Sequence, residues 1–198
     1  MKFPCSGVIL AGGLNTRLLG KDKALIKFGD KHLLDYIYNC FISLFDEIIL
    51  VTNHPQKYLK WDLDIVTDIF PMRSSLSGIH GGLFYSTRPH IFITACDMPF
   101  IKKELIVAIL KKIDDRMDAI IPETSSGLEP LCAVYAKKSL NAIEKHLSQK
   151  KFKIQRVFRQ DRIKKVKETV LRKIDPQLNS FFNINRPEDL IEAEKLLS

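Results

Sequence analysis

Short apolar runs alternate with longer amphipathic segments along this chain, and this alternation limits the possible folds more than any other feature. The runs are rich in β-branched residues and are bounded by Gly, Pro, Asn or Asp, which is typical of buried strands. Two segments between them, 33–44 and 105–113, carry apolar residues at helical spacing. The predicted strands are 6–10, 47–52, 65–67, 91–95 and 119–122.

The alternation predicts an α/β fold. Continuous apolar strands separated by helices indicate a mostly parallel sheet covered on both faces. Further strands are predicted at 133–136 and 181–184, where an antiparallel strand is possible, and a closing helix at 186–197 starts with Pro187 and acids. No repeat or Pro/Gly-rich linker interrupts the pattern, so residues 1–198 are predicted to form one domain.

Composition excludes several classes of protein. The chain of 198 residues is long enough to bury a core without disulfides, and none of its apolar runs is as long as a membrane span. The apolar stretch 8–11 is too short for a signal peptide, so we expect a cytoplasmic protein. The cysteines are widely spaced without a metal-binding pattern, and each is predicted to be a small buried hydrophobe. They are Cys5, Cys40, Cys96 and Cys132.

Positive charge is concentrated in the segment 150–173. It contains eleven Lys and Arg against two acids, a local charge of +9 in a chain whose net charge is +8. Such a segment can bind an anionic ligand or an acidic partner, and it can equally be a solvated face. Because no zinc-finger spacing, Gly-rich aromatic RNA-binding signature or GXXG loop within a pair of helices accompanies it, a nucleic-acid partner is not expected.

The loop after the first predicted strand is suited to phosphate binding. The strand leads into Gly12 and Gly13, and the polar residues that follow include Arg17 and Lys23. Glycine lets the backbone approach a phosphate closely, and ligands of doubly wound folds bind beyond the carboxyl ends of strands. A Walker-A loop is excluded because aspartate, not Ser or Thr, follows the Gly-Lys pair at 20–21. The loop therefore predicts a site where Arg17 and Lys23 neutralise a triphosphate.

Two aspartates end predicted strands beside this loop. Asp97 follows the run 91–95 and precedes Pro99, and Mg²⁺ is usually held by one or two carboxylates together with substrate phosphates. The alternative is that Asp97 caps a helix that begins near Ile101. Asp68 ends the third predicted strand, where its carboxylate can accept paired hydrogen bonds from guanine, contact a ribose or orient the loop.

Five ordered segments closely resemble the bacterial molybdenum cofactor guanylyltransferases. The N-terminal pattern is LAGG-x₃-R-x₂-G-x-D-K, and C-D-x-P follows at 96–99. The sequence departs from the family at Ser75, where proline is usual, and at Leu19, where Met-Gly is usual. The other three segments are 76–79, 129–135 and 182–190, which resemble the family's Gly-Pro-Leu-Ala-Gly-Ile, Pro-Leu-x-Ala-Val-Tyr and Asn-Ile-Asn-Thr-Pro-Glu-Asp-Leu stretches.

The resemblance implies a Rossmann-like, three-layer fold of the nucleotide-diphospho-sugar transferase type. It also implies Mg²⁺ as cofactor and transfer of GMP from GTP to the terminal phosphate of molybdopterin, with release of pyrophosphate. Asp97 is the implied metal ligand, and Asn53 lies two residues beyond Val51, the position that aligns with a nucleotide-binding asparagine of the family. The other implied nucleotide contacts are Leu10, Ala11, Gly12, Lys23, Asp68 and Asp97.

The resemblance also implies that the N-terminal half binds GTP and the C-terminal half binds molybdopterin. Arg156 and Arg159 lie three apart on a predicted helix, with Lys153 on the same side as Arg156. We expect one or two of these three cations to hold the acceptor's phosphate and the others to be solvated. Asn183 and Asn185 end the last predicted strand and are candidates for the acceptor or a second metal. The alternative is that these asparagines only form a turn before the closing helix.

Two other functions remain open from the residues alone. A cytidylyl- or sugar-phosphate nucleotidyltransferase would share the glycine loop and the strand-end aspartate. A non-catalytic nucleotide-binding protein could use the segment 150–173 to dock molybdenum-cofactor biosynthesis proteins or an apoenzyme. Tyr58 and Trp61 are predicted only to cover a loop near the second strand.

Overall fold

The computed structural model describes residues 2–12 and 22–197. Within these ranges, eight strands form one sheet and two short strands form a separate antiparallel pair. The first five predicted strands are all present, with bounds shifted by at most two residues. The strands are β1 Ser6–Leu10, β2 Lys27–Phe28, β3 Lys31–His32, β4 Ile48–Val51, β5 Asp64–Val66, β6 His90–Ala95, β7 Ala119–Thr124, β8 Gly127–Leu128, β9 Cys132–Ala136 and β10 Ile163–Lys167.

The main sheet is mixed but mostly parallel, as the sequence predicts. Its order is β10-β7-β9-β6-β1-β4-β5, and β8 pairs with β7. Strands β1, β4, β5 and β6 are parallel neighbours, whereas β9 runs antiparallel between β6 and β7. The carboxyl ends of four parallel strands therefore lie along one edge, which is where ligands bind in such sheets.

Helices cover both faces of the sheet, which confirms the three-layer prediction. Successive residues of β1 point to opposite faces: Ile9 belongs to the core under α1 and α3, and Val8 to the core under α2 and α4. None of the described helices is long and apolar enough to cross a membrane. The helices are α1 Leu33–Phe41, α2 Ser75–Tyr85, α3 Lys103–Leu110, α4 Leu140–Ser148, α5 Glu168–Leu171 and α6 Pro187–Leu197.

Helix α2 packs unusually close to the sheet because it carries glycine on the packed side. A Cβ added at Gly78 would lie 2.8 Å from Leu10 Cδ2, and one added at Gly82 would lie 2.8 Å from Val8 Cγ1. The helix begins with Ser74 as its N-cap, whose hydroxyl accepts the N–H of Ser77 at 3.1 Å. This close packing brings the first turn of α2 over the carboxyl ends of the central strands.

Two predicted elements are wrong. The segment 181–184 is not a strand, because a 3₁₀ helix at Asn179–Phe181 leads into an irregular stretch. The helix predicted around Arg156 and Arg159 is only the 3₁₀ turn Ile154–Arg156. Beyond it, the lysine-rich strand β10 forms the edge of the sheet, so part of the basic segment is a strand edge.

Candidate active site

Lys23 joins two other polar side chains beyond the ends of β1 and β6. Its Nζ donates to Asp97 Oδ2 at 2.9 Å and to Asn185 Oδ1 at 2.7 Å. The side chains of Lys23 and Asp97 are only 18% and 14% exposed. The other carboxylate oxygen, Asp97 Oδ1, is buried and accepts no hydrogen bond from residues 2–12 or 22–197. A buried carboxylate oxygen of this kind is available to an incoming ligand.

Asp97 is not a helix cap, so the capping alternative is wrong. Helix α3 begins at Lys103 and has Lys102 in the N-cap position. The backbone carbonyl of Asp97 instead accepts the N–H of Ile184 at 2.9 Å. This bond fixes the segment before α6 to the end of β6.

The start of α6 fixes the position of Asn185. The backbone N–H groups of Asn185 and Arg186 both donate to Asp189 Oδ2, at 2.7 and 2.8 Å. Asp189 lies in the first turn of a helix that begins at Pro187, where an acidic residue is favoured and proline costs no hydrogen bond. Local helix chemistry therefore presents the Asn185 side chain to Lys23.

A cavity of about 230 Å³, the Asp68 cavity, lies beyond the ends of β1, β4 and β5. Asn53 Nδ2 donates to Asp68 Oδ2 at 2.9 Å. Burial raises the pKa of Asp68 above its ordinary value, against the opposing effects of the Asn53 hydrogen bond and the Arg73 charge. Asp68 is thus a half-buried acceptor facing a partly apolar space. The lining residues are Leu10, Gly12, Val51, Asn53, Asp68, Arg73, Ser74, Ser75 and Gly78.

A second cavity of about 150 Å³, the Asp97 cavity, adjoins the first. The two share Leu10, Gly12 and Ser75 in their walls. The two adjoining spaces have Asp68 in one and Asp22 and Asp97 in the other, and an extended polar ligand can lie across them. The Asp97 cavity is lined by Leu10, Ala11, Gly12, Asp22, Lys23, Ser75, Ala95, Cys96, Asp97 and Leu131.

A third cavity of about 410 Å³, the Phe152 cavity, meets the other two at Ser75. The Phe152 side chain is 41% exposed, and Lys153 is exposed beside it. Lys153 forms no ion pair with any residue in the described ranges. An exposed aromatic ring next to an unpaired cation suits a planar, anionic ligand. The cavity is lined by Ser74, Ser75, Pro130, Phe152, Lys153, Ile154 and Gln155.

The residues predicted to bind the acceptor do not all gather at these cavities. Asn185 joins the Lys23 cluster, but Asn183 Nδ2 donates to a backbone carbonyl two residues earlier, at 2.9 Å. Arg159 is 80% exposed and pairs with Asp161 at 2.7 Å. Arg156 is exposed and lies next to the lining segment of the Phe152 cavity without being part of it.

Sequence reasoning missed several lining residues and placed others where the structure has no description. Gly13 and Arg17 lie outside the described residues. Arg73 carries no motif, and a serine such as Ser74 is detectable only as an N-cap before an apolar run. Lys153, by contrast, is among the three cations that the sequence offers for the acceptor's phosphate. In the described part of the chain, no three His, Cys, Asp or Glu side chains gather to form a metal cluster.

Comparison with known proteins agrees with this geometry. Residues 7–166 match the family model of the MobA-like NTP transferase domain. The chain is 41% identical to the molybdenum cofactor guanylyltransferase of Desulfosudis oleivorans, covering 96% of this chain and 94% of that one. It is 39% identical to a probable molybdenum cofactor guanylyltransferase of Natranaerobius thermophilus, covering 97% and 96%.

A solved structure shares the whole fold. The crystal structure of molybdopterin-guanine dinucleotide biosynthesis protein A from Archaeoglobus fulgidus superposes with a TM-score of 0.84 at 27% identity, covering 97% of this chain and 98% of that one. The relatives and the solved structure thus match nearly the full length of the chain, and the family model matches residues 7–166. The chain therefore belongs to the MobA-like NTP transferase family and, within it, to the molybdenum cofactor guanylyltransferases.

Proposed function

We propose that this protein transfers GMP from GTP to molybdopterin, forming molybdopterin guanine dinucleotide and releasing pyrophosphate. The adjacency of the Asp68 and Asp97 cavities carries the proposal, because one offers hydrogen-bond groups for a base and the other offers a lysine and a carboxylate oxygen that accepts no hydrogen bond from a described residue. An oxygen of the acceptor's phosphate bonds to the α-phosphorus of GTP. The bond from that phosphorus to the oxygen bridging to the β-phosphate breaks, and pyrophosphate leaves with the electron pair.

Asp68 and Asn53 are the proposed guanine-selecting groups. A carboxylate accepts hydrogen bonds from both N1–H and N2–H₂ of guanine, whereas cytosine has no such donor pair. Asn53 already donates to one oxygen of Asp68 and so fixes the direction of the carboxylate. The backbone of Gly12 forms the wall between this cavity and the phosphate side.

Lys23 is the proposed phosphate-binding residue, and with Arg17 and the N–H groups of Gly12 and Gly13 it would stabilise the charge that moves onto pyrophosphate. Its Nζ is held between two oxygen acceptors, so the cation is in place before substrate binds. Phosphoryl and nucleotidyl transfer depend more on positioning and charge neutralisation than on covalent help from the protein. A fixed lysine is suited to that task.

Asp97 is the proposed ligand of Mg²⁺, through the buried oxygen that accepts no hydrogen bond from a described residue. One carboxylate is enough, because Mg²⁺ takes its other ligands from water and substrate phosphates. When bound, Mg²⁺ neutralises charge on the phosphates. The second oxygen of Asp97 stays with Lys23 and orients the carboxylate.

The Phe152 cavity is the proposed acceptor side, so that the N-terminal half of the chain supplies most of the GTP site and the C-terminal half most of the molybdopterin site. Phe152 offers an exposed ring to the pterin, and Lys153, which pairs with no acid among the described residues, offers its cation to the phosphate. Arg156 lies next to this segment in the chain, and Asn185 accepts a hydrogen bond from Lys23 beside the Asp97 cavity, so both remain candidates. Arg159 and Asn183 are already engaged by their own neighbours.

Thermal stabilisation by GTP, CTP, ATP and UTP, each with and without Mg²⁺, tests the proposal. A ligand that binds the folded state raises the melting temperature by mass action. We expect GTP with Mg²⁺ to give the largest shift, followed by guanine dinucleotide formation in an assay with molybdopterin. A larger shift with CTP would favour a cytidylyltransferase, and no shift with any nucleotide would contradict the proposed function.

A further inference from the structure

The segment after β4 reaches both parts of the nucleotide site. Asn53 lines the Asp68 cavity, and the 3₁₀ helix Pro55–Tyr58 follows it directly. Tyr58 is completely buried at the end of this helix, and its hydroxyl donates to Asp22 Oδ1 at 2.6 Å. Asp22 lines the Asp97 cavity and immediately precedes Lys23. One short segment therefore connects the base side with the residue next to the phosphate-side lysine.

The bond from Tyr58 is the dominant restraint on the Asp22 side chain among the contacts of the described residues. Asp22 is only 8% exposed, so its carboxylate depends on protein partners in place of water. Its other contact, Lys57 Nζ at 3.4 Å, is long and comes from a side chain that is 47% exposed. Burial, reinforced by the neighbouring Asp22 carboxylate, raises the pKa of Tyr58 well above its ordinary value. The phenol is therefore always a donor.

We infer that Tyr58 is a positioning residue that acts through Asp22 to hold Lys23 in place against Asp97 and Asn185. A fixed backbone lowers the entropy cost of holding the Lys23 ammonium on both oxygen acceptors, and Asp22 is its backbone neighbour. This role rests on the proposed function, since it assumes that Lys23 binds the phosphates of GTP. Tyr58 also links base recognition to phosphate recognition, because it lies five residues after Asn53 and contacts the residue before Lys23.

Trp61 provides a matched control in the same segment. Its ring packs on Tyr58 with centroids 5.8 Å apart, and it is also buried. Its Nε1 donates to Asp35 Oδ1 at 2.7 Å, on α1, which lines neither nucleotide cavity. Tyr58→Phe and Trp61→Phe thus each remove one buried hydrogen bond to a carboxylate, but only the first bond leads to Lys23.

The test compares GTP turnover and ligand binding in these two variants. We expect Tyr58→Phe to lower kcat about tenfold, less than the 100-fold that a 1 Å displacement can cost, and to weaken GTP binding while guanosine binds as in wild type. Trp61→Phe should lower the melting temperature similarly but keep kcat within about twofold, as expected for a residue remote from the reacting groups. Equal losses of kcat in both variants, or wild-type kcat in Tyr58→Phe, would overturn the inference.

A double variant tests whether the effect passes through Asp22. If it does, Tyr58→Phe added to Asp22→Ala should cause no further loss of kcat, because contacts in one chain of interactions are not additive. If the loss of kcat in the double variant equals the product of the losses in the two single variants, the effect does not pass through Asp22. Wild-type protein that fails to bind GTP would overturn the proposed function along with the inference, whereas wild-type binding that is unchanged in Tyr58→Phe overturns the inference alone.

Discussion

The Asp97 cavity and the Phe152 cavity meet at Ser75, yet their charged side chains are held in different ways. In the first, Lys23 is largely buried and is shared by two oxygen acceptors on other elements. In the second, Lys153 is exposed on an irregular segment and forms no ion pair with a described residue. A fixed charge needs no reorganisation during the reaction, whereas an exposed long side chain must be ordered when its ligand binds.

The basic segment 150–173 extends this comparison, because five of its eleven Lys and Arg form ion pairs with acids of the protein itself. Three of these cations pair with acids on neighbouring parts of the fold and two with acids inside the segment. The lysines of β10 also protect an edge strand from pairing with another chain. Charge count alone therefore overstates the ligand-binding capacity of the segment. The pairs are Arg159–Asp161, Arg162–Asp118, Lys164–Asp114, Lys165–Glu123 and Arg172–Glu168.

Asp97→Asn is expected to have the largest effect, because it removes a charge from the Asp97 cavity, where the charged side chains are already held in position. The amide still offers an oxygen to Lys23 Nζ but has no charge for Mg²⁺. We expect kcat to fall about 100- to 1,000-fold, the range seen when one group that stabilises transition-state charge is lost. Single-turnover GMP transfer in saturating Mg²⁺ measures this, with guanosine binding as a control for folding. Near-normal turnover would remove Asp97 from the metal site.

The fold was largely predictable because buried parallel strands leave continuous apolar runs in the sequence. Helix α2 was not predicted, since its Ser- and Gly-rich sequence has a low helix propensity and it forms because Gly78 and Gly82 allow close packing on the sheet. Strand β10 was hidden by its lysines, which leave only Ile163 and Val166 as buried residues. Tertiary packing determines that both elements form, and the local sequence pattern carries no signal of that packing.

The site was predictable where it depends on strand ends and not where it depends on distant segments. Asp68 and Asp97 follow apolar runs, so their common edge follows from the parallel sheet. The contact between Lys23 and Asn185 joins residues 162 positions apart, and no local signal specifies it. Tyr58, predicted only to cover a loop, contacts Asp22 for the same reason: the two meet only once the chain has folded.

Asp68→Asn tests the base side of the nucleotide site and should have an intermediate effect. The carboxylate can accept both guanine hydrogen bonds and is negatively charged, whereas the neutral amide has one acceptor oxygen. GTP affinity should therefore fall about 10- to 50-fold, as for a lost hydrogen bond to a charged group. Preference for GTP over CTP and ATP should fall with it. Isothermal titration with each nucleotide measures both. Unchanged GTP selectivity in the variant would assign guanine recognition elsewhere.

Asp68→Asn should also change how the stability of the protein depends on pH. Because burial raises the pKa of Asp68, the folded chain binds this proton more tightly than the unfolded chain. Wild-type unfolding free energy therefore decreases as pH rises from about 4 through the raised pKa. Asp68→Asn should lack this decrease, so its melting temperature at pH 7 should equal or exceed that of wild type by up to about 2 °C. A lower melting temperature at pH 7, with no change near pH 4, would contradict the burial argument.

The smallest effects are expected on the acceptor side, where Lys153→Ala and Arg159→Ala form a matched pair of exposed cations. Lys153 lines the Phe152 cavity without an ion-pair partner among the described residues, whereas Arg159 is paired with Asp161. Lys153→Ala should raise the KM for molybdopterin about five- to tenfold, as for one lost charge-assisted hydrogen bond, and leave GTP binding unchanged. Arg159→Ala should stay within about twofold on both, since exposed pairs contribute little. If Arg159→Ala raises the KM for molybdopterin and Lys153→Ala does not, the acceptor's phosphate binds at Arg159. Pairing with Asp161 would then not prevent Arg159 from binding the acceptor, and an unpaired cation beside a cavity would be a poor guide to the acceptor site.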